Sequence, residues 1–275
     1  MDSISFDFAA DIYDATRGFP EGIAAKVADS LLSALGETPT ILEVGIGTGR
    51  ITRPLLEQIA SRDAKATGKH ALIFGVDISE RMLSRLRAQL PLESPQPSLI
   101  MGSGLALPFP DSTFDAVLMV HLIHLIKDWK AAILESRRVL NSRGALLIGY
   151  ESGEGDSPIS RLRKKLHDLI LENYPDYPLF GPISMEERTE WLLSTGAMQD
   201  TRIAASWVEP IQLNKTIDTY AQGIHSATWR IPEEKRKVLI SQLRAWALAE
   251  YGSLEEQLDI PHRFVWERFR WEGKH

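Results

Sequence analysis

The 275-residue sequence predicts an α/β chain: a Rossmann-like, open and mostly parallel sheet of about seven strands, helices on both faces, an N-terminal helical segment and a helical cap insert. Three observations predict it. Short runs rich in Ile, Val and Leu alternate with helix-period segments through the first 150 residues. The runs are apolar nearly throughout, as strands buried on both faces must be. The first of them passes straight into glycines and then a helix, which is how open sheets present backbone to a ligand.

In chain order, residues 23–35 read as an amphipathic helix, and strands are expected at 40–45, 71–77, 98–101, 114–120 and 145–150, each bounded by Gly, Pro, Asp or Asn. Helices fill the intervals. The segment 50–61 follows the glycines, 79–90 opens at Ser79 and stops at Pro91, and 128–140 starts on an Asp128 cap and ends in a turn at 141–144. Beyond them come helices at 157–173 and 185–194 around a turn-rich 174–182, then a strand at 201–208. The segment 231–251 carries Pro232, Glu233 and Glu234 in its first turn and Gly252 after its last, the asymmetry of a capped helix. The aromatic-rich 263–271 reads as a closing antiparallel strand. The core therefore comprises 36–213 and 259–275, and 1–35 with 214–258 form the cap and substrate-binding elements.

Composition narrows the function classes. With 44% hydrophobic and 25% charged residues the chain can bury a core, so collagen-like, low-complexity and disordered readings are excluded. Zero cysteines exclude disulfides, Fe–S clusters, thiolate zinc sites and a cysteine nucleophile, and suit a reducing compartment; the cytoplasm is expected. Thirty-one basic against thirty-seven acidic residues, net −6, offer phosphate backbones and anionic bilayers no broad attraction, so nucleic acid is disfavoured as a partner. The longest apolar run, residues 116–126, contains two histidines and falls well short of the roughly 20 residues of a membrane span. The acidic residues 1–14 do not read as a secretory signal.

The most informative segment is Ile41-Leu42-Glu43-Val44-Gly45-Ile46-Gly47-Thr48-Gly49-Arg50. Its spacing, G-x-G-x-G, departs from the dinucleotide fingerprint at Arg50 and lacks the Gly-Lys-Ser/Thr of a P-loop. The next strand ends in Asp77, a carboxylate able to accept bonds from both hydroxyls of a ribose; alternatively it caps the helix beginning near Ser79.

These residues, together with Gly102-Ser103-Gly104-Leu105-Ala106-Leu107-Pro108-Phe109, Phe114-Asp115-Ala116-Val117 and Glu135-Ser136-Arg137-Arg138-Val139-Leu140, resemble the class I S-adenosylmethionine-dependent methyltransferases. The resemblance is strongest to the type 11 group that includes quinone-biosynthesis methyltransferases, and it runs from about residue 6 to residue 150. It implies S-adenosylmethionine as cofactor and S-adenosylhomocysteine as product. Glu43, Gly45, Gly47 and Gly49 are then implied against the methionine portion, Asp77 on the ribose, and Ile78, Ser103, Gly104 and Leu105 about the adenine. Ser103 stands where relatives usually carry Asp; a hydroxyl accepts a hydrogen bond from the adenine amino group but brings no charge. Tyr13 and Arg17 match a Tyr-Asp-x-x-Arg element that closes over the cofactor, with Arg17 on its carboxylate. His121 is implied beside the methionine portion.

A methyl group on a sulfonium needs alignment more than activation, so a base is required only when the acceptor must lose a proton. His124, just beyond the fourth strand, is the candidate base; ordinary packing is the competing reading. His121-x-x-His124 lacks a recognisable third ligand, so no metal is expected. The tryptophans and tyrosines concentrate in the second half. Trp246 and Trp266 read as core, whereas Tyr220, His225, Trp229 and Arg230 are placed to line an acceptor pocket.

Met119-Val120-His121-Leu122 is no Asp/Asn-Pro-Pro-Tyr/Phe element, and the lack of cysteine removes thiolate-adduct and Fe–S radical chemistry. The expected partner is a small, partly apolar molecule methylated on O, N or C. The alternatives are an NAD(P)-dependent oxidoreductase on a related sheet and a non-catalytic module that binds S-adenosylmethionine or a partner.

Overall fold

A computed structural model of the chain describes residues 18–36, 38–63, 71–91, 95–153, 156–177, 180–182, 184–229 and 231–272. The elements are α1 (Ile23–Leu35), β1 (Thr40–Val44), α2 (Thr52–Asp63), β2 (Leu72–Asp77), α3 (Glu80–Gln89), β3 (Ser98–Met101), β4 (Phe114–Val120), a 3-10 turn (Ile123–Leu125), α4 (Trp129–Val139), β5 (Leu140–Gly153), α5 (Pro158–Asn173), α6 (Met185–Ser194), β6 (Ala197–Gln212), α7 (Leu213–Ala221), a second 3-10 turn (Ser226–Thr228), α8 (Glu233–Tyr251) and β7 (Gln257–Trp271). Side-chain caps start several of the helices. Ser79 accepts from the Met82 N–H at 3.1 Å, Asp128 from Ala131 at 3.2 Å, and Ser184 from Glu187 at 3.1 Å, each satisfying a donor the helix itself leaves open.

The strands form one sheet in the order β3-β2-β1-β4-β5-β7-β6. Parallel ladders join β1 to β2 and β4, β2 to β3, and β4 to β5. The winding reverses between β1 and β4, so the ends of these two strands, Val44 and Val120, flank the crevice in which open sheets hold ligands. This is the architecture the alternating runs imply.

One local expectation is corrected. The turn expected at 141–144 is a bulge inside β5: the β4–β5 register passes from Phe114↔Leu140 to Ala116↔Ala145. Asn141 donates to Asp115 Oδ1 at 2.8 Å, and a Cβ on Gly144 would come within 2.9 Å of the Phe114 carbonyl oxygen. The Asn and Gly thus bend a strand instead of ending one. The helix α7 falls at the start of the stretch 214–258 read as a helical insert, in which only 231–251 was delimited as a helix; its Leu213, Ile217 and Tyr220 share one face at helical spacing and are all buried.

The described residues form two compact units, one within 1–150, 180–205 and 264–275, the other within 151–179 and 206–263. In the first, Leu42, Val44, Val76, Val117, Met119, Leu146 and Ile148 of the strands are buried with Trp129, Ile133 and Val139 of α4. Trp266 is buried here too. In the second, α5, α7 and α8 contribute Leu162, Leu166, Leu213, Ile217, Leu239 and Leu243, with Trp246 packed beside them. No helix among the described residues is long and apolar enough to cross a membrane.

The first unit also buries an ion pair. Arg188 of α6 and Glu267 of β7, 5% and 6% exposed, are bonded to each other, and the Tyr150 hydroxyl donates to Glu267 Oε1 at 3.1 Å. Burial pushes the Glu267 carboxyl up despite its partner. Removing one charge leaves the other in apolar surroundings, so Arg188→Met is expected to lower the unfolding free energy in urea by about 3–5 kcal/mol. The double variant Arg188→Met/Glu267→Leu is expected to recover most of that loss; equal loss in both would mean the charge has no part in it.

Candidate functional site

The glycine loop is shaped by backbone demands. Gly45, Gly47 and Gly49 all have positive φ, at 73°, 54° and 80°, a region in which a side chain is strained. The loop is anchored where it leaves β1: the Gly45 and Ile46 N–H groups both donate to the Val76 carbonyl, at 2.7 and 3.2 Å.

Beyond the carboxyl ends of β1, β2, β3 and β4 the first unit opens into a cleft, at the place where open parallel sheets hold ligands. Gly45 and Gly47 line it from β1, Asp77 and Ile78 from β2, Ser103, Gly104 and Leu105 from β3, and His121 from β4. Of the site residues expected from the sequence, these eight come together. The cleft also takes in Val44, Val76, Met82, Gly102, Val120, Leu122, Leu125 and Ile126, none of which the sequence reading singled out. Gly102, Val120 and Leu122 adjoin strand ends and could have been found by that rule; the 3-10 turn carrying Leu125 gave no signal.

Among the described residues Asp77 is the one carboxylate of this lining, and it joins two loops. Its Oδ2 accepts from the Gly47 N–H and its Oδ1 from the Ser79 N–H, both at 2.9 Å. The cap of α3 is Ser79, not Asp77.

Glu43 lies beneath the loop and outside the cleft lining. It is 3% exposed and accepts a bond from the Thr52 hydroxyl at the start of α2. Burial, opposed by that bond and reinforced by the negative charge of Asp77, raises its carboxyl from 4.5 to about 8. Gly49 likewise stays outside the lining: a Cβ there would meet Leu86 at 2.5 Å, so its role is packing against α3.

On the β3 side the Ser103 hydroxyl accepts from the Leu105 N–H at 3.2 Å, and a Cβ on Gly104 would meet Val44 at 2.8 Å. The loop backbone therefore lies directly on β1. His121 is held at φ 50°, a strained conformation for a side-chain-bearing residue, and its N–H donates to the Gly149 carbonyl at 3.2 Å. His124, three residues on, is exposed and does not line the cleft.

The remaining expected residues lie elsewhere. In the second unit Tyr220 is 2% exposed and belongs to the core, with the His225 ring 4.6 Å away and His225 Nε2 bonded to Thr219 Oγ1 at 3.0 Å. Trp229 is half-buried. Tyr13, Arg17 and Arg230 lie outside the described residues. Among the described residues no three His, Asp or Glu side chains form a group that could hold a metal.

Comparison with known proteins finds similarity to methyltransferases. Residues 42–148 match the family model described as a methyltransferase domain. The chain is 28% identical over 144 residues to the malonyl-[acyl-carrier protein] O-methyltransferase of Halorhodospira halophila, covering 52% of this chain and 45% of that protein. It is also 28% identical over 131 residues to the demethylmenaquinone methyltransferase of Staphylococcus haemolyticus, covering 47% and 52%. The chain thus spans about half the length of these curated relatives, 45% and 52%. A solved structure of a putative methyltransferase from Bacillus halodurans superposes with a TM-score of 0.61 at 17% identity, covering 91% of this chain and 99% of that one, which shows a shared fold.

The state of Glu43 yields a pH test. Unfolded, its carboxyl ionises near 4.5; folded, it holds its proton to about 8, so stability falls as pH rises through that window. Glu43→Gln keeps the shape and removes the titration. Its unfolding free energy relative to the unsubstituted chain is expected to rise by on the order of a few kcal/mol between pH 5 and 8. A difference that does not vary with pH would contradict a neutral Glu43.

Proposed function

We propose, from the premise that residues 42–148 belong to the methyltransferase domain family, that this chain transfers a methyl group from S-adenosylmethionine to a small, partly apolar molecule. The observation that carries the reading is the junction of Gly47 and Asp77 at the mouth of two adjacent parallel strands. The site suits an adenosyl cation. Its described lining contains one carboxylate and no lysine or arginine, apolar faces from Val76, Ile78, Met82 and Leu105, and bare backbone at Gly45, Gly47 and Gly104.

When bound, S-adenosylmethionine supplies a methyl group on a positively charged sulfur, ready for one displacement. The chain's part is to bind, orient and exclude water. In this reading Asp77 accepts from the ribose hydroxyls, Ile78, Ser103, Gly104 and Leu105 receive the adenine, and the backbone at Gly45 and Gly47 faces the methionine portion beside His121. Glu43 and Gly49 serve from behind by holding the loop. Tyr13 and Arg17 retain the covering role the family resemblance implies. Val120, Leu122, Leu125 and Ile126 form an apolar wall that keeps water from the reacting atoms. Alignment of this kind accounts for about 7–11 kcal/mol of a barrier. The acceptor atom is O, N or C; of the residues proposed for the acceptor side, His225 and Trp229 are half-buried, whereas Tyr220 serves the core.

Calorimetric titration tests the reading. S-adenosylmethionine and S-adenosylhomocysteine are expected to bind and NAD(H) to give no heat; the reverse pattern would favour an oxidoreductase. Asp77→Asn removes a charged acceptor worth about 1.5–3 kcal/mol, so it is expected to weaken S-adenosylhomocysteine by roughly one to two orders of magnitude. The base role proposed for His124 predicts that His124→Ala lowers turnover with the true acceptor more than it lowers cofactor affinity. Unchanged turnover removes His124 from the chemistry.

A further inference from the structure

The guanidinium of Arg138, near the end of α4, places all five of its N–H donors without reaching the cleft. Nε donates to Glu135 Oε2 at 2.9 Å. One terminal nitrogen donates to the Phe109 carbonyl at 2.9 Å and to Asp111 Oδ1 at 2.6 Å. The other donates to the Leu107 carbonyl at 3.1 Å and to Glu135 Oε1 at 2.8 Å. Glu135 Oε1 in turn accepts from the Leu107 N–H at 2.8 Å. An ion pair thus holds both backbone groups of Leu107, as a neighbouring strand would.

Leu107 ends the segment whose earlier residues, Gly102 to Leu105, wall the cleft. The other end of that segment is tied to the strand carrying Asp77: the Gly102 N–H donates to the Asp77 carbonyl at 2.9 Å. Between the two ties the described bonds are local, with Leu105 and Ala106 N–H groups donating to the Ser103 hydroxyl and carbonyl. The Phe109 ring packs edge-on against Phe74 and Phe114, at 5.8 and 4.9 Å between centroids. The Arg138 bonds hold the Glu135 carboxyl below its usual range, consistent with an intact pair at neutral pH.

We infer that Glu135 and Arg138 are positioning residues for the cleft: they clamp Leu107 and Phe109, and through them set the course of the wall at Gly102–Leu105 that receives the ligand. The identity of the ligand rests on the methyl-transfer reading; the clamp does not. A wall displaced by an ångström weakens binding without altering the chemistry of the reacting atoms, so its loss raises KM for S-adenosylmethionine and leaves kcat nearly unchanged. Lysine in place of Arg138 keeps the charge but not the planar fork.

The test compares Arg138→Met, Arg138→Lys, Glu135→Gln and Asp111→Asn in the full chain. S-adenosylhomocysteine titration, steady-state kinetics and hydrogen exchange of ligand-free protein are the three readouts. Arg138→Met is expected to weaken S-adenosylhomocysteine about tenfold or more, to raise KM for S-adenosylmethionine in step with kcat held, and to speed exchange at Leu105 and Leu107 while the β1 and β4 amides stay protected. Arg138→Lys and Glu135→Gln are expected to fall between it and the unsubstituted chain. Asp111 is 75% exposed, and Asp111→Asn is expected to change nothing. A folded Arg138→Met that binds S-adenosylhomocysteine as tightly as the unsubstituted chain overturns the inference. If the unsubstituted chain itself binds neither adenosyl compound, the methyl-transfer reading fails and exchange alone decides: unaltered protection at Leu107 overturns the clamp, and selective loss upholds it. Should Arg138→Met fail to fold, Glu135→Gln is judged by the same readouts.

Discussion

One carboxylate organises the crevice. Asp77 ends β2, and its oxygens take backbone N–H groups from the loop that follows β1 and from the start of α3. Its carbonyl takes a third from Gly102 at the end of β3. Three strand ends therefore converge on a single residue. No longer acidic side chain could accept at the same short reach, and no neutral one would face a cation with the same charge. The glycines make this possible, because Gly47 presents its N–H to Asp77 from a left-handed backbone that a side chain would strain.

A second acid works in the opposite sense. Glu43 shares its strand with the loop but points away from the cleft, where burial and the nearby Asp77 keep it protonated up to about pH 8. The pair separates two roles: the half-buried Asp77 lines the cleft, and the buried neutral acid ties β1 to α2 through Thr52. The same division appears at Ser103 and Arg138. Apart from Asp77 and His121, the described residues touching the cleft are small or apolar, and the charged pair Glu135–Arg138 that fixes the backbone at Leu107 stands outside it.

Much of the frame was legible because parallel strands announce themselves by apolar runs between glycine and aspartate, and because the glycine loop and Asp77 terminate such runs. The helix caps at Ser79 and Asp128 are equally local. What local pattern could not show depends on which way a side chain leaves its strand. Glu43 alternates with Val44, so one faces the helix layer and the other the cleft. Tyr220 carries an apolar body at helical spacing from Leu213 and Ile217, and this spacing, not its hydroxyl, decided its place in a core. The clamp at Arg138 was hidden for a different reason: its bonds are to carbonyls 29 and 31 residues away, and no short-range spacing encodes that.

The most direct test is a crystal structure of the protein grown with S-adenosylhomocysteine. The sugar hydroxyls are expected against Asp77 and the base beside Ser103 and Leu105, with the glycine loop under the amino-acid end. A cleft that stays vacant at saturating ligand, or a ligand whose sugar lies away from Asp77, would contradict the central claim.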